Sequence, residues 1–231
     1  MFRLAAALAM LLGLTACANG QRNLEKPAEP LGNFKLGFSE VVAPNIVKGP
    51  LSREASAEGW TAAVDHAIEE RFDRQGGEKY YHIGTSVEGY VLAQPGVPLV
   101  FSPKSALILK VTVWDDAAQK KLNDTPEQIT VMEAITPETL AGSGLTQSKA
   151  EQMRNLSANA ALQIEMWMRR ELRAQGWFGG EAAQDAAEAR LAAASAEAET
   201  AAQEGPDAGQ EAEIAAATSA KAGRERETVT E

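Results

Sequence analysis

The stretch Ala106-Leu107-Ile108-Leu109-Lys110-Val111-Thr112-Val113-Trp114 decides the fold. Successive side chains of an extended chain point to opposite faces. Leu107, Leu109, Val111 and Val113 therefore share one face, while Ile108, Lys110, Thr112 and Trp114 share the other. No Gly or Pro interrupts the run, and β-branched residues suit a pleated surface. A strand with one wholly aliphatic face needs a second layer to cover it.

Working outward, Asn123-Asp124 and Thr125-Pro126 turn the chain, and Gln128 to Ile135 carries Ile129, Val131 and Ile135 on one side. Upstream, Pro95-Gly96 is a turn signal. Before it, Tyr80 to Ala93 contains Tyr81, Ile83, Val87 and Val91, with Gly84 and Gly89 as bulge positions. Three strands joined by turns predict an antiparallel meander. Phe34 to Phe38, with Val41-Val42, predicts an earlier strand ending at Pro44.

Trp60, Val64, Ile68 and Phe72 recur every four residues with Ala67 alongside, the stripe of an amphipathic helix. Ser52 or Ser56 is placed to cap it, Gly76-Gly77 to stop it, and Asp65, Glu69, Glu70 and Arg71 fall mostly off the stripe. Ser148 and Glu151 have capping-box spacing ahead of a second, longer helix. Met153, Leu156, Ala160, Ile164 and Trp167 mark its apolar face, widened by Leu162, Met166 and Leu172. The order β-α-β-β-β-α predicts an α+β fold: a mainly antiparallel sheet with two helices packed on one face.

The predicted domain spans 33–178, about 145 residues and enough for one core. Residues 179–231 form an acidic, Ala- and Glu-rich low-complexity tail. From Glu181 onward it carries twelve acids and four bases, so all but two units of the net charge of −10 belong to it. Such a segment cannot bury enough apolar surface to offset its ordering entropy. Transient helix is expected over 182–202 and disorder beyond Pro206. The remaining charge gives no basic footprint for nucleic acid.

At the other end, Met1-Phe2-Arg3 puts one cation ahead of the apolar run Leu4 to Leu14, the layout of an export signal. The run is shorter than the roughly 20 residues that a transmembrane helix needs. It closes on Leu14-Thr15-Ala16-Cys17, which resembles the lipobox of bacterial lipoproteins. The resemblance implies a signal peptide over 1–16, a thioether-linked diacylglycerol on Cys17, and anchoring in the cell envelope. Cys17 is the only cysteine, so no disulfide framework competes for it. In that family Asp after the cysteine often means inner-membrane retention. Ala18 stands there instead, which implies the outer membrane and a domain facing the periplasm. Residues 17–32, polar and carrying Pro27 and Pro30, are expected to be a lipidated tether.

The segment running from Gly142-Ser143-Gly144 through Glu151-Gln152-Met153, Asn155-Leu156-Ser157 and Asn159-Ala160-Ala161 to Ile164-Glu165-Met166-Trp167 also resembles the closing helix of small uncharacterised lipoproteins of alphaproteobacteria. It covers about thirty residues and brings no catalytic motif.

Motifs of chemistry are sparse. No nucleophile elbow or phosphate loop occurs, and no ligand spacing supports a metal site or a cofactor. His66 and His82 come from a helix and a strand, and Asp115-Asp116 ends a strand. A small hydrolase or metal-dependent enzyme would need a cleft joining one of these histidines to Asp115, Asp116 or Glu133. The connection Gln94 to Lys104 holds Val97, Leu99 and Phe101. These residues either contact a partner or a membrane, or continue a strand into the core. Trp177 and Phe178 likewise either offer an aromatic contact or staple the last helix. The expectation is a non-enzymatic binding or assembly module: membrane-bound through its lipid, with an envelope protein or the cell wall as partner.

Overall fold

The computed structural model describes residues 20–94, 105–133 and 148–203. The lipobox, Val97, Leu99, Phe101, Ile135, Gly142 to Gly144 and the tail after Gln203 lie outside those residues. Two compact units divide the chain, Met1–Ala187 and Glu188–Glu231.

In the first unit a short helix α1 (Gly20–Leu24) precedes strands β1 (Phe34–Val42) and β2 (Val47–Lys48). Helix α2 (Ala57–Phe72) and strands β3 (Lys79–Val91), β4 (Ala106–Asp115), β5 (Lys120–Lys121) and β6 (Glu127–Met132) follow. Helix α3 (Lys149–Gln175) and a 3-10 turn (Trp177–Gly179) complete the layer, and helix α4 spans Gly180–Gln203. The fold is α+β with a mostly antiparallel sheet, as expected, with two short strands and α1 added.

Strand β4 lies at the centre. It pairs antiparallel with β3 on one side and with β6 and β5 on the other. β1 and β2 run parallel to β3 along its far edge, because α2 carries the chain back across the sheet between β1 and β3. The alternation in β4 holds. Leu107, Leu109, Val111 and Val113 are fully buried, and Lys110 opposite them is exposed. β3 bulges at Glu88, between the Val87–Leu109 and Gly89–Ile108 pairs, whereas Gly84 stays in register opposite Thr112.

Helices α2 and α3 cover the aliphatic face. Ser56 caps α2 by accepting from Gly59 N at 3.1 Å. The helix ends at Phe72 with Asp73 as its C-cap, before Gly76-Gly77 is reached. Ser148 and Glu151 form the expected capping box, and these bonds hold the Glu151 carboxyl below the usual carboxylate range. Met166 is a correction: it points to solvent rather than widening the apolar face.

Of the two roles open to Trp177 and Phe178, an aromatic contact or a staple, the structure shows the staple. Both are buried, and they staple the end of α3 to the sheet. Phe178 stands edge-on to Phe34 at 5.1 Å and to Tyr81 at 4.8 Å, and Trp177 edge-on to Trp167 at 5.4 Å. Phe178 adopts φ 56°, a left-handed backbone that L-residues rarely take. The ring's burial among Phe34, Tyr81 and Trp177 offsets that strain.

The tether is a second correction. From Gly20 onward it is docked: Gly20 and Leu31 are buried, and Asn33 N donates to Phe178 O at 2.8 Å. In the second unit, Glu188 to Gln203 is helical, and the tail segment expected to be transiently helical is helix over Gly180–Gln203.

Two outcomes test this core. Phe34→Ala empties a site shared by Phe72, Tyr81 and Phe178, and should cost about 3–5 kcal/mol in urea unfolding. Burial, reinforced by the Asp115 carboxylate, pushes the Tyr81 phenol from 10.0 up to about 12. The unfolded chain ionises first, so this contribution is complete below pH 10 and is lost as pH rises towards 12. Tyr81→Phe should remove that part of the alkaline slope of stability.

Candidate functional site

Helices cover one face of the sheet, and the other stays open. On it a shallow depression of about 460 Å³ is lined by Phe38, Glu40, His82, Gly84, Thr112, Trp114, Asp116 and Gln119. Its centre is His82, directly opposite Trp114 in the β3–β4 register.

Local backbone geometry sets the position of the ring. β1 breaks register with β3 between Leu36 and Phe38. The bulge at Gly37 turns Phe38 onto the open face, where it stacks on His82 with centroids 3.9 Å apart and ring planes 26° from parallel. A Cβ on Gly37 would lie 2.3 Å from His82 Cε1, so only glycine lets the strand pass beside the imidazole. Phe38 N donates to His82 Nδ1 at 3.2 Å, and His82 Nε2 meets Asp116 Oδ1 at 3.1 Å. Nδ1 accepts, so the proton of the neutral ring sits on Nε2 and is donated to the carboxylate. Gln119 donates to the Asp116 carbonyl and tightens the turn that carries the acid.

The histidine–carboxylate pair anticipated from sequence is therefore present for His82 and Asp116. The other candidates are not joined to it. His66 lies exposed on α2, in the opposite layer. Asp115 accepts from Ala118 N at 2.9 Å within the turn. Glu133 follows the end of β6 at the level of Ala106, whereas His82 is at the level of Trp114. Eight residues of β4 separate these levels, about 27 Å of strand. Among the described residues no group of three or more His, Cys, Asp or Glu side chains is placed to hold a metal ion.

Chemically, His82 is occupied at both nitrogens. A general base needs one ring nitrogen facing the proton it removes. Here one accepts from the main chain and the other faces a carboxylate. The arrangement suits presentation of an aromatic surface: Phe38 is 56% exposed, with Trp114 partly buried beside the pair. Sequence reading named both members of the pair but missed Phe38. The usable signal was Gly37 inside an otherwise alternating strand.

A second constellation, absent from the sequence reading, holds the N-terminal segment. Arg71 is 3% exposed on α2, on the covered side of the helix rather than off its stripe. Its guanidinium donates to Glu165 Oε2 at 2.7 Å, Asn23 Oδ1 at 2.9 Å and Gly20 O at 2.7 Å. Glu165 also accepts from Arg169 at 2.9 Å, and Arg169 donates to Pro30 O at 2.8 Å. Gln75 accepts from Leu31 N at 2.9 Å and donates to Glu29 O at 3.1 Å. Polar groups of α2 and α3 thus answer the backbone of an otherwise irregular segment.

No family model matches the chain, and no curated protein matches it. Among solved structures, it is similar to a candidate lipoprotein of Caulobacter crescentus at 15% identity, over 62% of this chain and 91% of that one, with a TM-score of 0.30. A Xanthomonas campestris protein matches at 14% identity, over 62% and 86%, with a TM-score of 0.33. A minor lipoprotein of Acinetobacter baumannii matches at 12% identity, over 55% and 91%, with a TM-score of 0.23.

Two measurements check the two constellations. Long-range proton–nitrogen NMR on neutral His82 should show hydrogen on Nε2, and a proton on Nδ1 would contradict the site as described. Arg71→Ala leaves Glu165 with Arg169 as its one cation, and should cost about 1.5–3 kcal/mol in urea unfolding.

Proposed function

We propose that the chain is an envelope lipoprotein, anchored by lipid on Cys17 in the outer membrane, whose periplasmic domain is a non-enzymatic binding module. The address rests on one observation: the only cysteine follows Leu14-Thr15-Ala16 at the end of a short apolar run with a cationic head. Two or more acyl chains on one residue give stable anchoring where one chain would be marginal. Among the described residues no helix is long and apolar enough to cross a membrane.

The binding role rests on the open sheet face. Phe38, held flat on His82, gives a rigid aromatic surface at little entropic cost to a partner. The apolar connection with Val97, Leu99 and Phe101 is a second contact for an envelope protein or for the cell wall. A hydrolase is the alternative reading, and the His82–Asp116 pair at 3.1 Å is what favours it.

Cys17→Ser should abolish lipid labelling and move the protein to the soluble fraction. If the native chain never labels, or the variant stays membrane-bound, the address is wrong. A photo-crosslinker at Phe38 should capture a defined envelope component in cells, with none captured from Thr61 on α2. Hydrolytic activity lost in His82→Asn, with no such capture, would establish the alternative.

A further inference from the structure

The clamp around Arg71 fixes where the anchor leaves the domain. Helices α2 and α3 run side by side in the same direction. Arg53, before α2, reaches Gln152 at 3.3 Å, and Arg71, eighteen residues on, meets Glu165, thirteen residues on, at 2.7 Å. The N-terminal segment lies along them in the same sense. Gly20 N donates to Asn159 Oδ1 at 2.6 Å, Asn23 is held by Arg71, Pro30 by Arg169, and Gly32 packs on Leu172. Gly20 is pressed against α3, for a Cβ there would lie 2.2 Å from Ala158 O.

Followed backwards, the described part of this groove ends at Gly20, which packs on Ala158 and Asn159 of α3 and is reached by Arg71 from the last turn of α2. Only three residue steps separate Gly20 from Cys17. They span at most about 11 Å. A leash of some fifteen residues would let the domain tumble freely over the bilayer; three residues cannot.

Resting on the proposed lipidation of Cys17, we infer that the domain lies against the bilayer by its helical layer, at the level of Ala158 and Asn159 of α3. Its open sheet face, with Phe38, His82 and Trp114, is turned towards the aqueous side. The occupant of the helical surface is lipid, because the chain outside the fold ends on the acylated residue within one short reach of it. The partner-binding face is thereby presented outward. Ala93 and Ser105 lie at the same end as the start of α3, since Gln152 donates to Ala93 O and Ser105 accepts from Ala93 N.

The test uses the lipidated full-length chain in vesicles of phosphatidylethanolamine and phosphatidylglycerol that carry doxyl-labelled lipid. Cys17 is occupied by the lipid, so one added cysteine can take an environment-sensitive dye. Arg154→Cys labels exposed α3 near the groove exit, and Thr130→Cys labels the exposed outer face of β6. The dye at 154 should lose most of its fluorescence to the quencher and the dye at 130 should keep it. A twenty-residue Gly/Ser insertion between Ala18 and Asn19 should abolish the difference while the lipid remains. Equal quenching at both sites in the native chain, or a difference that survives the insertion, overturns the orientation. A chain whose mass shows no diacylglycerol on Cys17 overturns the lipidation reading, and the orientation with it.

Discussion

A guanidinium buried away from water has to be answered by protein groups, and Arg71 is answered from three directions. Glu165 neutralises it from α3, while Asn23 and the Gly20 carbonyl meet it from the N-terminal segment. Its Nε is left without a protein partner among the described residues. An apolar pair of the same volume could serve stability as well. What the charge adds is specificity: only a segment offering carbonyl and amide oxygens at these positions satisfies it. The position of residues 20–32, and so the route by which the chain enters the fold, depends on that requirement.

The two faces of the domain carry different features. The helical layer carries the strapped segment from Gly20 to Gly32. The sheet's outer face carries the depression around His82. These features are joined through the core alone, where Phe34, at the start of β1, packs against Phe72 of α2, Tyr81 of β3 and Phe178 after α3. The same strand then bulges at Gly37 and delivers Phe38 to the opposite face. One strand thus contributes to the core at its start and to the candidate site at its middle.

The regular parts of this arrangement were legible in the sequence because they follow a local period. Alternation in Ala106 to Trp114, the four-residue stripe from Trp60 to Phe72 and the spacing of Ser148 and Glu151 each report a neighbour within a few residues. The rest depends on partners distant in sequence. Arg71 reads as a solvated charge until Glu165, 94 residues away, is brought beside it. Residues 17–32 read as a tether because Pro and polar residues are the composition of linkers, and the groups that hold the backbone of its described part, such as Arg71, Gln75, Arg169 and Gln184, lie far along the chain. Trp177 and Phe178 follow the αL stop at Gly176, where chain direction, and so burial, is set by tertiary packing. The His82–Asp116 pair was named from residue type alone. Its engagement by the Phe38 amide, which takes the second nitrogen out of use, required the bulge.

The central claim is that residues 20–32 are part of the fold. Amide hydrogen exchange of the full-length protein measures this directly at Leu31, whose N–H is bonded to Gln75, and at Gly32, whose N–H is bonded to Gln184. The account predicts that both amides exchange far more slowly than an open chain, with Leu31 approaching the protection of core strand β4. Exchange of both at the rate of an unstructured peptide would contradict it.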